Sequence, residues 1–332
     1  MSQHSTASCL NSDCPTTRFV TRDAPDIEPD PVGRISHQLP QPQTGRKGEG
    51  GLRTREHFKK SLPGKPLISV ITVVFNDETY LEETMQSVFN QTYDNVEYIV
   101  IDGGSTDGTV DIIKRHEEKI DYWSSEPDQG IYYAMNKGIL LVHDPDSYIY
   151  YLNSGDTFNG NTVLSTVVET LPDVDFWYGR INLVDEETCI TVRSGSEIDP
   201  KNLLFGMASS HQTMLCRRWV FDVIGGFDCR YRIVADYDWV NRVFRNPAVT
   251  RKHGNIVVAN MRSGGASDIN YLLALQERGA VVATYYSSVD RFMYLIYRYS
   301  WATFRYGIKL LLRRLGLRKI ARQMKYKMVR HD

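Results

Sequence analysis

The sequence predicts an α/β fold in which a doubly wound, mostly parallel sheet carries helices on both faces. Nearly continuous apolar and β-branched segments at 67–75 and 96–102 are typical of strands buried on both faces. Segments with helical periodicity lie between such strands. The alternation of strand and helix is that of a parallel sheet with crossover helices.

The first helix is expected over 77–91, after the first strand. Its apolar side chains recur at helical spacing and share one face, namely Leu81, Met85, Val88 and Phe89. After the second strand, a GGSTDGT turn leads into a helix that runs through residue 119. Ser105 or Thr106 is expected to cap this helix.

The later elements alternate in the same way and then become mixed. A proline at 247 is expected to end the last helix, because proline cannot continue one. GGFD at 225–228 predicts a turn. The remaining predicted strands are 120–125, 147–152, 175–184, 189–195, 211–218 and 255–260, and the remaining helices are 129–142, 218–224 and 236–245.

The N-terminal residues 1–62 are expected to form an unstructured extension. They are rich in Ser, Thr, Pro, Gly, Gln and Asp, and they show no apolar periodicity. Such a stretch cannot bury enough surface to offset its ordering entropy. The predicted organisation is therefore this extension, a main α/β domain over 63–265 and a helical region over 266–332.

Composition limits the classes of function. Hydrophobic residues make up 42% and charged residues 24%, which is ordinary for a globular protein and excludes a collagen or a coiled coil. No run of about 18 uncharged apolar residues occurs, and no basic segment followed by an apolar one opens the chain. Neither a transmembrane helix nor a secretory signal is therefore expected. Five scattered cysteines favour a reducing compartment and argue against a zinc site or a disulfide framework.

Charge is distributed unevenly along the chain. Residues 1–60 carry a net charge of +2, residues 61–290 of −14 and residues 291–332 of +11. The acidic body argues against a nucleic-acid-binding surface over the whole protein. It suits a cleft that holds a divalent cation.

Polar side chains follow three predicted strands, at the edge where open parallel sheets bind ligands. They are Asn76 with Asp77, Asp102, and the segment 153–156. No G-x-G-x-x-G follows the first strand and no G-x-x-x-x-G-K-[ST] occurs, which disfavours a dinucleotide site and excludes a P-loop. A bound diphosphate would need another positive partner, such as Mg²⁺ or Mn²⁺ held by one or two carboxylates.

Several segments resemble family-2 glycosyltransferases with the GT-A fold: SVITVVFND, VIDGGSTDGT, SEPDQGIYYAMNKGI, YLNSGD and GGFD…ADYDW. The similarity is greatest to bacterial members that build lipopolysaccharide, exopolysaccharide and glycolipid sugars, and it spans about residues 66–262. It implies a Rossmann-like, mostly parallel sheet with a small antiparallel sheet on the acceptor side. It also implies inverting transfer of a sugar from a nucleotide-sugar to an acceptor hydroxyl, with a divalent metal.

The resemblance places the donor beside the first strands. Asp102 corresponds to the acid that recognises the nucleobase; the alternative is a turn residue that caps the next helix. Lys137 would neutralise the leaving diphosphate; the alternative is a solvated helix face. The donor-site residues implied are Phe75, Asn76, Glu78, Asp102, Gly103, Asp128, Gly130, Asn136, Lys137 and Asn153.

Asp156 corresponds to the last acid of the family's metal motif, which implies Mg²⁺ or Mn²⁺ as the cofactor. The chain departs from the motif, because Asn153 and Gly155 stand where many members have acids. One carboxylate and a weaker amide ligand remain, which an ion held mainly by phosphates tolerates. The alternative is that Asp156 caps the helix near 161.

His211 and Gln212 match an HQ pair of close relatives. A neutral imidazole could bind the metal or the diphosphate, and the alternative is a satisfied buried histidine. Another departure is Tyr133, where close relatives often carry an acid.

Asp236 corresponds to the family's general base. Asp238 lies two residues further along the predicted helix, so the two carboxylates point to roughly opposite faces. Arg242 follows Asp238 at i+4, which predicts an exposed ion pair and a structural role for Asp238. The remaining acceptor-side residues are expected to be Gln212, Gly226, Phe227, Asp228, Tyr231 and Asp238.

The C-terminal segment 291–330 contains twelve Lys or Arg residues and no acid, interleaved with aromatic and aliphatic residues. It predicts a basic amphipathic helix that lies on an anionic membrane surface. The alternatives are a helix packed on the domain with a basic outer face and, less favoured by the acidic body, nucleic-acid binding.

Together these features predict an inverting hexosyl- or deoxyhexosyltransferase, peripheral on the cytoplasmic face of a membrane. Its partners would be a nucleotide-sugar, a saccharide or lipid-linked acceptor and the membrane, in cell-surface polysaccharide or glycolipid synthesis. One alternative is a non-catalytic nucleotide-sugar-binding subunit. Another is a nucleotidyltransferase, which would need a basic glycine-rich loop where this chain has Phe75, Asn76 and Asp77.

Overall fold

Ten strands form one mixed sheet in the part of the chain that the computed structural model describes. The described residues are 20–22, 35, 45–171, 174–185, 190–207, 209–263, 270–298 and 300. The strands are β1 (Gly48–Gly50), β2 (Ile68–Val74), β3 (Val96–Asp102), β4 (Tyr122–Ser125), β5 (Tyr148–Tyr151), β6 (Thr157–Phe158), β7 (Phe176–Asp185), β8 (Ile190–Ser194), β9 (Met214–Arg217) and β10 (Arg251–Arg262).

Helices cover both faces of this sheet. The α-helices in the described residues are α1 (Leu81–Phe89), α2 (Thr109–Arg115), α3 (Ile131–Leu140), α4 (Val163–Val168), α5 (Arg218–Ile224), α6 (Ala235–Arg245), α7 (Tyr271–Tyr285) and α8 (288–298). Single 3₁₀ turns occur at Leu52–Arg55, Glu117–Lys119, Asn202–Leu204 and His211–Thr213.

The centre of the sheet is parallel and doubly wound, as predicted. Strand order is β1-β4-β3-β2-β5-β9-β7-β10-β6, with β8 paired to β7, and β4, β3, β2 and β5 run parallel. Val70 of β2 packs in one core cluster with the apolar face of α1, whereas Ile71 and Val73 pack in a second cluster with α3 and α6. Burial on both faces explains the nearly continuous apolar sequence of β2.

The remaining strands extend the same sheet instead of forming a separate small one. β9 pairs antiparallel with both β5 and β7, and β8 pairs antiparallel with β7. β10 runs parallel to β7 and antiparallel to β6. The predicted α/β class is confirmed, with the antiparallel strands continuous with the parallel ones.

Two local predictions are wrong. The helix after β3 begins at Thr109 with Gly108 at its N-cap and has no side-chain cap, so neither Ser105 nor Thr106 caps it. Residues 211–213 form a 3₁₀ turn that leads into β9 and are not part of the strand.

Residues 45–62 correct the expectation of an unstructured extension up to residue 62. β1 adds an antiparallel edge strand, with Gly48 opposite Ser125 of β4. Lys59 Nζ lies 2.8 Å from Asp121 Oδ2, with both side chains 1% exposed, and the Arg53 guanidinium pairs with Glu97. The polar sequence suggests exposure to solvent, but carboxylates of β3 and of the turn before β4 neutralise the buried Arg53 and Lys59. Residues 1–19, 23–34 and 36–44 lie outside the described residues.

The C-terminal region is helical where it is described. Ala274 and Val281 of α7 pack against Val234 and Tyr237, which flank and belong to α6. Helix α8 includes the first residues of the predicted basic helix, and 301–332 lie outside the described residues. Among the described helices, none has the length and apolar character needed to cross a membrane.

Candidate active site

The carboxyl ends of β2, β3 and β5 lie side by side, which confirms that the predicted polar groups converge. Val74, the last residue of β2, is paired with Asp102, the last residue of β3. Ser154, after β5, donates through its hydroxyl to Asp77 Oδ2 at 2.6 Å. The parallel register brings these loops together, because all three strands end at one edge.

The loops after β2 and β3 brace each other. Asn76 has a left-handed backbone (φ 51°), which asparagine tolerates better than most residues, and its Oδ1 accepts from Thr106 N at 2.7 Å. Glu78 Oε2 accepts from Gly108 N at 2.7 Å. Phe75 is 63% exposed beside them. Asn76 and Glu78 therefore shape the predicted donor edge, and Phe75 presents an aromatic surface there.

Asp102 is buried beneath this edge and holds the loop that follows β3. Its Oδ2 accepts from Gly104 N (3.1 Å), Ser105 N (3.0 Å) and Ser125 Oγ (2.5 Å). Its Oδ1 accepts from Ser105 Oγ. These contacts agree with the alternative in so far as Asp102 stabilises the turn after β3, but Asp102 does not cap α2. Direct contact with a nucleobase stays a prediction that requires one of these four bonds to open.

The loop after β4 approaches the same edge. A Cβ on Gly103 would lie 2.9 Å from Asp128 Oδ2, so glycine permits this close approach. Asp128 Oδ1 accepts from Gly130 N at 2.8 Å, and burial raises the pKa of Asp128. Lys137 Nζ pairs with Glu126 Oε1 at 2.8 Å and is largely covered, so it is not a solvated face.

Asn136 is buried, and its amide bonds the GGFD turn. Its amide donates to Phe227 O at 2.8 Å and accepts from Phe227 N at 2.8 Å, which ties α3 to the GGFD turn. Phe227 is 2% exposed and packs against Tyr132, Tyr151 and Trp239. Asn136 and Phe227, two of the predicted site residues, are therefore part of the protein core. Asn136 bonds the backbone of Phe227, and aromatic side chains surround the Phe227 ring.

Asp156 follows β5 and is almost fully buried. Its Oδ1 accepts from Arg262 N at 3.2 Å and its Oδ2 accepts from Gln212 Nε2 at 3.1 Å. Burial raises the pKa of Asp156 to about 6. Helix α4 begins at Val163 and has no side-chain cap, so the alternative that Asp156 caps this helix is wrong.

His211 lies between Asp236 and Asn153. Its Nδ1 is 2.9 Å from Asp236 Oδ2 and its Nε2 is 3.0 Å from Asn153 Nδ2. Asn153 Oδ1 is buried and has no hydrogen-bond partner among the described residues. Asp236 Oδ1 also accepts from Tyr132 Oη at 3.2 Å and from Tyr237 N at 2.8 Å.

The surroundings of Asp236 keep its carboxyl ionised. Burial alone would raise its pKa, but the hydrogen bonds from His211 and the backbone N–H of Tyr237, together with the charge of Arg278, leave the pKa of Asp236 below its ordinary value. A small cavity of about 20 Å³ adjoins the pair and is lined mainly by apolar side chains, including Tyr151, Met214 and Trp239. Aside from its bonded partners, Asp236 is thus held against a largely apolar wall.

Asp238 faces the other side of α6, as predicted. Its Oδ2 accepts from Arg242 Nε at 3.0 Å and its Oδ1 accepts from Tyr285 Oη at 2.9 Å. Arg242 also donates to the Gly226 carbonyl at 2.7 Å. The pair is predicted correctly, but Asp238 is 4% exposed, so the expectation of an exposed pair is wrong. The packing of α7 on α6 covers it.

The other acceptor-side residues lie in the segment between α5 and α6. Asp228 is paired with its near neighbour Arg230, and Tyr231 packs beside Ala274 of α7. Tyr133 is half-buried on α3. None of these contacts tests a role toward an acceptor, which stays a prediction.

Two residues that hold Asp236 are absent from the sequence predictions. Tyr132 bonds both Asp236 and the Ile233 carbonyl, at 3.2 and 2.9 Å. Glu277 of α7 accepts from the backbone N–H groups of residues 232–234, at 2.8, 2.9 and 3.2 Å, and so fixes the start of α6. Glu277 lies between Gln276 and Arg278, so no local pattern marks it as buried, and the apolar character of α3 predicts burial of Tyr132 but no partner for its hydroxyl.

Comparison with known proteins places the chain. The sequence profile described as Glycosyl transferase family 2 matches residues 69–202. A PGL/p-HBAD biosynthesis glycosyltransferase of Mycobacterium tuberculosis is 30% identical over 210 residues, covering 61% of this chain and 80% of that protein. The chain belongs to glycosyl transferase family 2. It is therefore a glycosyltransferase with the GT-A fold, as the motifs predict.

This family-2 glycosyltransferase is also similar to other mycobacterial proteins. An uncharacterized glycosyltransferase of Mycobacterium tuberculosis is 36% identical over 184 residues, covering 53% of this chain and 68% of that protein. Among solved structures, glucosyl-3-phosphoglycerate synthase of Mycobacterium tuberculosis with Mn²⁺, UDP and its product has a TM-score of 0.49 at 13% identity, covering 67% of this chain and 82% of that one. In the family-2 glycosyltransferase described here, His211 and Asp236 lie beyond the profile match.

Proposed function

We propose that this family-2 glycosyltransferase moves a sugar, with inversion, from a nucleotide-sugar to a hydroxyl of a saccharide or lipid-linked acceptor. Two neighbouring residues of one turn carry the proposal. His211 binds Asp236, the candidate base. Gln212 binds Asp156, the candidate metal ligand. This proposal is supported by the fact that consecutive residues of one turn bond the candidate base and the candidate metal ligand.

The nucleoside of the donor would lie over the loops after β2 and β3. Phe75 offers an exposed ring for the base. The mutual hydrogen bonds of these loops keep the edge in one shape before the donor arrives, and Asp102 holds the second loop from below. Lys137, paired with Glu126, is the candidate cation for the diphosphate.

The residues after β5 fit Mg²⁺ or Mn²⁺ held largely by phosphates. Asp156 would supply a carboxylate, and Asn153 Oδ1, which is buried and has no hydrogen-bond partner in the described part of the chain, would supply an amide oxygen. No group of three or more acidic, histidine or cysteine side chains gathers among the described residues, so two protein oxygens are the expected share. When bound, the ion would neutralise charge on the departing diphosphate.

Asp236 would take the proton of the acceptor hydroxyl. The hydroxyl oxygen forms a bond to the anomeric carbon while the bond from that carbon to the diphosphate oxygen breaks, and the nucleoside diphosphate leaves with the electron pair. Attack from the face opposite the leaving group inverts the anomeric configuration. A positioned base of this kind contributes about 10²–10⁴-fold to the rate.

A lipid-linked acceptor and a peripheral membrane position suit the C-terminal region. Large apolar side chains of α8 are exposed, namely Val289, Phe292, Met293, Leu295 and Ile296. Basic residues follow them in the sequence, and 291–332 carry a net charge of +11. An apolar face beside positive charge suits the interface of an anionic membrane, here the cytoplasmic face.

A panel of nucleotide-sugars tests the donor site. The sugars of UDP, GDP and TDP would each be added with Mg²⁺ or Mn²⁺, and thermal stabilisation and slow donor hydrolysis would be measured. We expect one nucleotide to stabilise the protein in a metal-dependent way and its sugar to be released. Stabilisation with no hydrolysis and no transfer would favour the non-catalytic subunit instead.

Replacing Asp236 tests the mechanism. Asp236→Asn should reduce single-turnover sugar release by about 10²-fold or more, because the proton acceptor is lost. Donor affinity should change little, since Asp236 contacts none of the donor-edge loops. The matched control is Asp111→Asn, in an exposed acid of α2 that belongs neither to the candidate site nor to the His211 network. Full activity of Asp236→Asn would contradict the proposed function.

A further inference from the structure

We propose that His211 is a positioning residue for Asp236 and not a metal ligand. The inference rests on the proposed function, because it concerns the carboxylate that accepts the proton. Its basis is the row of contacts from Asn153 through His211 to Asp236, in which both ring nitrogens have a partner.

The backbone that carries His211 is fixed independently of its ring. Thr213 closes the turn by donating to the Ser210 carbonyl from both its backbone N–H (2.9 Å) and its hydroxyl (2.7 Å). The carbonyl of the next residue, Gln212, accepts from Tyr150 Oη of β5 at 2.6 Å. The imidazole is therefore held on a rigid support, which is what a positioning group requires.

The ring is oriented from both ends. With Asn153 Nδ2 donating to Nε2, the proton lies on Nδ1 and is donated to Asp236. Asn153 therefore determines which ring nitrogen carries the proton that is donated to Asp236, and its Oδ1 lies outside this row of contacts.

A metal at His211 would have to displace one of these partners. Each ring nitrogen that binds a metal uses its lone pair, and the lone pair of Nε2 faces the Asn153 amide. The other nitrogen faces the Asp236 carboxylate. The contacts thus agree with the alternative of a buried histidine whose ring nitrogens are both hydrogen-bonded. One of these hydrogen bonds positions Asp236.

In this arrangement the Asp236 carboxylate has an acceptor position for the proton of a substrate hydroxyl. A carboxylate offers about four acceptor positions. Three are used within the described residues, by His211, Tyr132 and the backbone N–H of Tyr237. The donors fix the carboxylate plane, and one acceptor position is left for the hydroxyl that reacts.

Three substitutions of His211 separate positioning from metal binding. In His211→Asn, the amide nitrogen stands near the place of Nδ1 and can still donate to Asp236. In His211→Gln, the amide reaches the place of Nε2 instead, and His211→Ala removes both. Each would be assayed for single-turnover sugar release, with the best donor of the panel, over a Mn²⁺ titration.

We expect His211→Ala and His211→Gln to lower the rate at saturating donor by up to about 10²-fold, with KM for the donor and the Mn²⁺ midpoint nearly unchanged. The His211→Asn variant should retain the larger part of the rate. In an Asp236→Asn background, His211→Ala should cost little more, because the two residues act as a unit.

Recovery of His211→Ala at high Mn²⁺ would overturn the proposal in favour of a metal ligand. Equal losses of rate in His211→Asn and His211→Ala would also overturn it, because the N–H group that His211→Asn keeps near Asp236 would then have no effect on the rate. A fully active His211→Ala beside an inactive Asp236→Asn would refute only this inference. An active Asp236→Asn would instead refute the proposed function. Melting temperatures of all variants show whether each is folded.

Discussion

Two aspartates of α6, Asp236 and Asp238, have different surroundings, and the different roles proposed for them follow from this difference. Asp236 meets His211 and Tyr132 at the ligand edge, whereas Asp238 meets Arg242 and Tyr285 under α7. The first set of partners holds the Asp236 carboxylate beside a small cavity of about 20 Å³. The second set ties α6 to α7 and, through Arg242, to the GGFD turn.

Asp238→Asn should therefore destabilise the protein while leaving the chemistry intact. Hydrogen bonds to buried charged groups contribute about 1.5–3 kcal/mol, more than the ~0.2–0.5 kcal/mol of an exposed i,i+4 pair. Urea denaturation of wild type and variant measures the cost. Sugar release per folded molecule should stay within about twofold, by contrast with Asp236→Asn. Loss of that activity with normal stability would reverse the roles of the two residues.

Asp156 gives a pH dependence whose sign follows from its burial. Its folded pKa of about 6 lies above the ordinary value of 3.8, so between these values the folded protein binds more protons than the unfolded chain. The free energy of unfolding should thus fall as pH rises from about 4 to 6, by up to ~3 kcal/mol more in wild type than in Asp156→Asn. Denaturation curves in metal-free buffer with chelator measure the difference. Parallel pH profiles for the two proteins would contradict it.

The residue types of the site could be read from the sequence, but their partners could not. Motif order located Asp236, Asp156 and His211, and helical spacing separated Asp236 from Asp238. The bond from His211 to Asp236 joins residues 25 apart and depends on how β9 meets α6. Long-range packing of this kind leaves no local pattern, which is also why Glu277 was missed.

At the scale of elements, the pattern of apolar residues predicted the strands and helix faces that are buried by contact with other apolar side chains. The run at 96–102 is β3 residue for residue, and the predicted face of α1 is its buried face. Pattern failed where burial depends on ion pairs. The segment around β1 is polar and lacks periodicity, yet Lys59 and Arg53 are buried against acids of β3 and the turn before β4.

Lys59→Met should consequently destabilise the fold, an effect that a substitution in an unstructured extension would not have. It leaves Asp121 buried without its partner, and breaking such a pair costs about 3–5 kcal/mol. Arg55→Ala is the matched control, because Arg55 pairs with Glu118 at the surface, and it should leave the unfolding free energy nearly unchanged. Urea denaturation compares the two. Equal stability of Lys59→Met and wild type would show that the segment is not part of the folded unit.

At the scale of the whole molecule, charge and apolar exposure are concentrated at the C-terminal end. The body between residues 61 and 290 carries −14, and the residues after it carry +11. Tyr294 anchors α8 by packing with Leu204 and Val282, while Phe292 and Leu295 beside it are exposed. One side of α8 is thus fixed to the enzyme, and the apolar side chains on the other are presented outward.

This arrangement predicts binding to anionic vesicles through α8 and the basic residues after it. Each basic residue near such a surface contributes about 1 kcal/mol, an attraction that salt screens. Wild type should sediment with phosphatidylglycerol-containing vesicles, should not sediment with pure phosphatidylcholine vesicles, and should be released by about 0.5 M NaCl. A Phe292→Glu/Leu295→Glu double variant should bind more weakly, because two carboxylates replace the exposed apolar contacts.

The matched control is Val223→Glu, which changes an exposed apolar residue of α5. It should sediment like wild type, because α5 lies outside the proposed membrane face. Removing residues after 300 keeps Tyr294 in place and should reduce binding by removing charge without disturbing the contact of α8 with the enzyme. If the double variant, the truncated chain and wild type all sediment equally with the anionic vesicles, the membrane surface lies elsewhere or does not exist. If only the truncation releases the protein, charge alone carries the attachment and the apolar side chains of α8 have no part in it.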